Sequence, residues 1–300
     1  MEIILCYGNL EDQPDLSTIH ADDLYLHHNN IRMLWSELFP IGLRYLDIAN
    51  NHILSDGLPI VLPDTIERMN VEYNGIVELT DVEWWPRALQ AINLSFNPLM
   101  AFPTNFPPGL QSINLAHTLI RHVDVLPASL RILNLSFTPV YKLPDELPAS
   151  LEELYLVETG VRSLPNLGGT SLKSLDVSKN NLRSLPALPA SLTHLNISQN
   201  CLSSLDLPAN VKTLFASFNY FFEVEPPEGF ILFDVRHNCL TVQRVEPNFL
   251  DGFNWNQSYH HGAAMSIQKG WRIYKMRRAF YKWSFTRRSK ESIQSYVPKI

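Results

Sequence analysis

Apolar residues recur along this chain in a fixed frame, which is clearest between Leu43 and Ile53. In that segment Leu43, Leu46, Ile48 and Ile53 occupy positions one, four, six and eleven, and Asn51 occupies position nine. The frame recurs eleven times, with first positions at Ala21, Leu43, Ile66, Leu89, Leu110, Leu130, Leu151, Leu172, Leu192, Val211 and Phe230. Successive first positions are 19 to 23 residues apart, and a short fixed period of this kind is typical of solenoids.

Each frame predicts one short β-strand. In the eighth frame, Leu175 and Val177 at positions four and six alternate with Asp176 and Ser178. Because successive side chains on a strand point to opposite faces, we expect the apolar pair to face a core and the polar pair to face outward, free of packing contacts. Proline-rich segments such as 143–151 favour extended, polyproline-like or 3-10 return limbs over full helices.

The frame resembles the leucine-rich repeat, and its L-P-x-x-L-P-x-S-L segments resemble the short repeats of type III secreted effectors from Gram-negative pathogens. The second resemblance covers Leu89 to Asn238. It implies a curved, right-handed, α/β-type solenoid dominated by short parallel β-strands. Effectors of this kind can carry a downstream ubiquitin-ligase domain with a nucleophilic cysteine. No cysteine follows Cys239, so the alternative to a simple scaffold is an effector-like chain without that catalytic half.

Position nine predicts a structural ladder. Its side-chain amides can both donate and accept hydrogen bonds, so we expect them to satisfy backbone groups where each strand ends. The asparagines at this position are Asn51, Asn74, Asn97, Asn180, Asn200, Asn219 and Asn238. Thr118, Thr138 and Thr159 replace them in three consecutive frames, where a hydroxyl offers one donor instead of two. We expect the ladder to be weaker there.

The pattern divides the chain into five segments. Residues 1–20 form an N-terminal cap or degenerate repeat, and residues 21–240 contain the eleven repeats. Residues 241–262 supply a C-terminal cap and hinge, residues 263–290 a basic α-helix, and residues 291–300 a tail. Terminal repeats of a solenoid must cover an open core, which explains the caps.

The outward side of the strands is the predicted binding surface for a protein partner. Aromatic side chains and one histidine are concentrated at positions five and eight of the frames, and exposed rings of this kind often dominate binding energy. The candidate residues are Tyr73, Phe96, His117, Phe137, Tyr155, Phe215 and Phe218. An alternative is that the position-eight rings lie flat over the neighbouring repeat and serve packing.

The basic C-terminal segment resembles a calmodulin-binding IQ motif. Ile267 and Gln268 match its start, Arg272 and Arg277 match its basic positions, and Phe280 fills the later apolar position, whereas Ile273 replaces the usual glycine. The resemblance implies binding to calmodulin or a related EF-hand protein. Independently, the apolar spacing predicts a basic amphipathic helix, which could instead dock on the acidic solenoid, an anionic membrane or nucleic acid.

Charge and cysteine content narrow the remaining classes of protein. Residues 262–300 contain ten Lys or Arg and one acidic residue, a net charge of +9, whereas the rest contains 14 basic and 29 acidic residues, a net charge of −15. The acidic repeats argue against a nucleic-acid groove. The three dispersed cysteines predict free thiols, and no secretory leader or membrane-length segment is present, so we expect a cytoplasmic protein, in a host cell if the source is a pathogen or virus.

No chemical site is predicted. The sequence has no glycine-rich phosphate loop, no nucleophile elbow and no convincing pair of acid and nucleophile, so we expect no enzyme and no cofactor. His27 and His28 are adjacent, and adjacent strand side chains point apart, so we expect no metal site there. The chain is expected to be a monomer.

Overall fold

The structure, a computed structural model, describes residues 1–59, 61–79, 85–224, 229 and 231–240. Twelve strands of three residues each form one parallel sheet in these segments, and each strand pairs with the next along the chain. They are β1 (Glu2–Ile4), β2 (Asp23–Tyr25), β3 (Tyr45–Asp47), β4 (Arg68–Asn70), β5 (Ala91–Asn93), β6 (Ser112–Asn114), β7 (Ile132–Asn134), β8 (Glu153–Tyr155), β9 (Ser174–Asp176), β10 (His194–Asn196), β11 (Thr213–Phe215) and β12 (Leu232–Asp234). Strands β2 to β12 cover positions three to five of the eleven frames, which confirms the predicted parallel-strand solenoid.

The register of the sheet follows the frame. Position four pairs with position four in neighbouring coils, as Leu46 does with Leu24 and Met69. One core of side chains from positions one, four, six and eleven therefore runs through the described repeats, and most of its leucines are fully buried. Strand β1 pairs with β2 in the same register, so residues before the first frame form one more coil. We number the coils by their frames.

The return limbs contain no α-helix among the described residues. Two short 3-10 helices are present, Ser36–Leu38 and Ser55–Gly57. Elsewhere a proline carbonyl accepts a turn hydrogen bond, as when the Leu130 amide donates to Pro127 (3.0 Å). The hydroxyl of the preceding Ser129 donates to the Leu110 carbonyl of the previous coil (2.6 Å), which gives the P-x-S-L segments a structural role.

Residues 241–300 lie outside the described residues. The predicted cap at 241–262, the basic helix at 263–290 and the tail at 291–300 therefore remain predictions. Across the part of the chain that the structure describes, no helix is both long and apolar enough to cross a membrane.

Candidate protein-binding surface

The outward position-five side chains are mostly buried, so the expectation that they are free of packing contacts is wrong. Asp176 is 1% exposed and Asn196 is fully buried. The Asn196 amide donates to the Asp176 carboxylate (2.8 Å), which also accepts the hydroxyl of Ser178 (2.6 Å). Adjacent coils lie only about 4.8 Å apart, so polar side chains on this face cover and satisfy one another.

The same burial applies to two of the candidate binding residues. Both Tyr155 and Phe215 are 3% exposed, although they lie on the outward side of their strands. The Tyr155 hydroxyl donates to Glu153 (2.6 Å), and burial raises the pKa of this phenol well above its ordinary value. These two rings therefore offer little surface to a partner.

Position eight marks the sharp turn at the end of every strand. The backbone there is left-handed in each of the twelve coils, with φ between 53° at Tyr73 and 60° at Phe137. Bulky side chains rarely adopt this conformation, which costs roughly 1–2 kcal/mol per residue. The turn is held across coils, as when the Phe96 amide donates to the Ala116 carbonyl of the next coil (2.9 Å). All position-eight side chains thereby emerge along one edge of the sheet.

Four position-eight side chains form a stack that we call the aromatic column: Tyr73, Phe96, His117 and Phe137. Their successive ring centroids are 4.1, 4.1 and 4.4 Å apart, with interplanar angles of 15° or less. Tyr73 is 46% exposed, and Phe96 and Phe137 are half-buried. Burial lowers the pKa of His117, which favours the neutral imidazole in the stack. Phe218 stacks separately on His237 at 4.2 Å.

Position-nine asparagines join neighbouring coils. Asn97 donates to the Val71 carbonyl of the previous coil (2.9 Å) and to Leu94 of its own coil (3.1 Å), while its side-chain oxygen accepts the Ile76 amide (3.1 Å). The same bonding pattern is present at Asn51, Asn74, Asn200, Asn219 and Asn238. Asn180 makes more hydrogen bonds to the previous coil than the other asparagines do, four in all.

The three threonine coils bond differently. The Thr118 and Thr138 hydroxyls donate only within their own coils, to Leu115 (2.8 Å) and Leu135 (2.6 Å). The single hydroxyl proton of Thr159 is shared between the Leu156 carbonyl of its own coil (3.3 Å) and the Asn180 side-chain oxygen of the next (3.0 Å). Position-nine side chains therefore make no hydrogen bond across the three junctions between coils four and five, five and six, and six and seven.

Beyond Phe137 the edge changes from aromatic to charged. Glu158 and Lys179 are the next position-eight residues, and they form an ion pair of 2.7 Å. The Lys179 ammonium also lies 6.0 Å from the Phe137 ring centroid. A shallow depression of about 430 Å³ opens at this point, lined by Phe137, Pro139, Thr159, Gly160 and the ion pair. Sequence reasoning missed it, because Glu158 and Lys179 look like ordinary surface charges until position eight is known to form one line.

His27 and His28 are closer than predicted. The left-handed turn at His28 brings the two Nδ1 atoms to 2.9 Å, so these neighbouring rings do not point apart. Tyr7 stacks on His28 at 4.4 Å. The described residues nevertheless contain no group of three or more His, Cys, Asp or Glu side chains arranged to hold a metal ion. The IQ-like residues Ile267, Gln268, Arg272, Arg277 and Phe280 lie outside the described residues.

Comparison with known proteins identifies the repeat type. The sequence is 29% identical to mouse Podocan-like protein 1, over 67% of this chain and 44% of that protein. Two solved structures of YopM are also similar. The Yersinia enterocolitica protein has a TM-score of 0.64 and 33% identity over 72% of this chain and 46% of its own. The YopM of Yersinia pestis, described as a leucine-rich effector protein, has a TM-score of 0.56 and 26% identity over 80% of this chain and 84% of its own.

The chain is thus a leucine-rich-repeat protein with YopM-like repeats. It spans less than half the length of Podocan-like protein 1 and of the Yersinia enterocolitica YopM. No protein-family model matches it.

Proposed function

We propose that this chain is a non-enzymatic scaffold that binds a protein partner along the strand face and its rim, with the aromatic column as the anchor. The observation that carries the proposal is the column itself. Four rings in consecutive coils stay accessible at the edge of a strand face whose own side chains are mostly buried. Rings held in fixed positions lose little conformational entropy on binding, which suits them as anchors.

On this proposal the centre of the binding surface is the aromatic column at the rim and not the strand face. Tyr155 and Phe215 belong to the strand face but are buried, so we assign them a supporting role under the contact surface. Phe218 and its partner His237 provide a second, smaller ring pair farther along the same edge.

Peptides selected on the folded chain by phage display provide a test. We expect Phe96→Ala/Phe137→Ala to weaken their binding about tenfold or more, because truncating an anchor residue costs roughly 2 kcal/mol. Val61→Ala/Val125→Ala is the matched control, since both valines are exposed outside the column. If the column variant loses several degrees of melting temperature and keeps its peptides, the rings serve packing and the proposal is wrong.

The C-terminal segment carries a second proposal, that it binds calmodulin or a related EF-hand protein through Ile267, Gln268, Arg272, Arg277 and Phe280. The match of these residues to the IQ pattern supports it. Calorimetric titration of calmodulin with a peptide of residues 262–290, at about 0.15 M salt to screen nonspecific attraction, tests it with and without calcium. Ile267→Ala/Gln268→Ala keeps every charge, so equal binding of both peptides would show that the attraction is nonspecific.

A host-directed effector without a catalytic half is the second candidate function. The 33% identity to YopM of Yersinia enterocolitica favours it. On this proposal the chain works in the cytoplasm of another cell by binding, without ubiquitin transfer of its own. Cys201 and Cys239 are free thiols. Ubiquitin discharge that disappears in Cys201→Ser or Cys239→Ser would contradict the scaffold assignment.

A further inference from the structure

Exposed cations follow the position-eight turns of coils five to eight, alongside the end of the aromatic column and past it. Each of coils five to eight has one cation at position twelve or thirteen. We call these four residues the cationic edge: Arg121, Lys142, Arg162 and Arg183. All four side chains are exposed, and none of them makes a hydrogen bond or an ion pair among the described residues. This stretch contrasts with the net charge of −6 of the whole chain.

The cationic edge and the depression share coils six to eight. The Tyr141 amide donates to the Arg121 carbonyl (3.0 Å), so the position-twelve residues of adjacent coils are direct neighbours. Arg162 follows Gly160 by two residues, and Gly160 lines the depression. Between positions eight and thirteen of coils five to eight, Glu158 is the one carboxylate, and Lys179 already neutralises it.

The depression continues the aromatic column. One face of the Phe137 ring stacks on His117 at 4.4 Å, and the other faces the depression, where the Lys179 ammonium is 6.0 Å away. A planar ring or a long aliphatic group entering there would extend the stack by one step. Gly160 has φ of +91°, and the space where its side chain would lie is open, so the backbone does not obstruct entry.

We propose that this edge binds a peptide segment in which aromatic or aliphatic residues are flanked by carboxylates. The apolar side chain occupies the depression against Phe137, and the carboxylates pair with Arg162 and Arg183 and compete with Glu158 for Lys179. Charge complementarity supports the acidic chemistry, because exposed cations without partners attract and orient an anionic ligand. The inference rests on the proposed scaffold function and specifies the partner class of the same surface.

Three synthetic peptides test it with the full chain. Each peptide has eight residues, with phenylalanine at the third and sixth positions. The other six positions are all glutamate in the first peptide, all glutamine in the second and all lysine in the third. In fluorescence titrations at about 0.15 M salt, we expect the glutamate peptide to bind about tenfold more tightly than the glutamine peptide, and the lysine peptide weakest. Equal affinity of the glutamate and glutamine peptides would overturn the proposal.

Variants separate this inference from the scaffold proposal. Arg162→Glu/Arg183→Glu should remove the preference for glutamate and leave binding of the glutamine peptide within about twofold. Arg32→Glu/Lys212→Glu makes the same charge change elsewhere and should leave the preference intact. If Arg162→Glu/Arg183→Glu leaves the preference intact, the cationic edge is not the site. If Phe137→Ala alone leaves all affinities unchanged, the anchor role fails instead.

A polyanion could exploit the same charge. A 12-nucleotide single-stranded DNA is therefore tested as a competitor of the glutamate peptide, at an equal concentration of negative charge. If the DNA displaces the peptide equally well from the native chain and from Phe137→Ala, the edge is a general anion-binding surface and the peptide assignment is overturned. Displacement by DNA that remains at least about tenfold weaker supports recognition of the combined ring and carboxylate.

Discussion

Asn180 is the residue whose loss should cost the solenoid most among its position-nine side chains. Its amide donates to the Leu156 carbonyl of the previous coil (2.6 Å), and its oxygen accepts the Thr159 amide (3.1 Å), the Thr159 hydroxyl (3.0 Å) and the Gly160 amide (2.8 Å). All four bonds cross from coil eight to coil seven. Asn180→Ala therefore removes the hydrogen-bond acceptor of two coil-seven amides, the buried Thr159 amide and the Gly160 amide, and weakens the bonding of the Thr159 hydroxyl and the Leu156 carbonyl.

The expected loss follows from that count. A typical buried hydrogen bond contributes about 1 kcal/mol net, and an unsatisfied buried group costs about 1–3 kcal/mol, so four lost contacts predict about 3–5 kcal/mol. Thr118→Ala removes one bond that stays within its own coil, to Leu115, and should cost about 1 kcal/mol. Asn181→Ala, an exposed neighbour, should be close to neutral.

Urea unfolding followed by circular dichroism measures these three free energies of unfolding. Hydrogen exchange of the Gly160 amide reports the local effect, because the stability of a repeat array is nearly a sum over coils and their interfaces. We expect that amide to exchange faster in Asn180→Ala and not in Thr118→Ala. If Asn180→Ala and Thr118→Ala lower the free energy of unfolding equally, the bridges between coils are not what the ladder contributes.

Three further predictions concern the backbone and one buried phenol. Gly57→Ala should destabilise by about 2 kcal/mol or more, because its Cβ would lie 2.2 Å from a backbone oxygen, whereas Gly109→Ala, in open space, should be neutral in the same unfolding assay. Gln199→Gly should stabilise by up to about 1 kcal/mol, because φ is +57° there, and a loss of melting temperature would contradict this strain. The raised pKa of Tyr155 means that its neutral form supports the fold, so stability should fall as pH rises above about 10, and Tyr155→Phe should reduce that fall in an alkaline unfolding series.

The repeat and its core could be predicted from the sequence because hydrophobic spacing determines them. Leu46, Ile48 and Ile53 are fully buried, as their positions in the frame require, and every frame produced one strand. Alternation along a strand gives only the direction of a side chain. It could not predict that Asp176 would be covered by its own neighbours, since that depends on the close spacing of the coils.

The edge of the sheet was harder to predict for a different reason. A left-handed turn normally favours glycine or asparagine, and position eight instead contains residues such as Phe96, Phe137 and Lys179. Local preference therefore gave no signal for the turn, and without it the adjacency of His27 and His28 could not be inferred. The signal that was available is the recurrence of rings at one frame position in four consecutive coils.

The aromatic column and the threonine coils occur in the same part of the solenoid, which suggests why bulky rings are found in strained turns. The Thr118 and Thr138 hydroxyls bond within their own coils, and the Phe96–His117 and His117–Phe137 stacks cross the junctions that precede those two coils. Stacked rings contribute about 0.5–1.5 kcal/mol per pair beyond their buried area, comparable to an asparagine bridge. The rings assigned to binding therefore also hold coils four to six together, so a partner that covers them should slow hydrogen exchange in those coils more than in coils joined by asparagine.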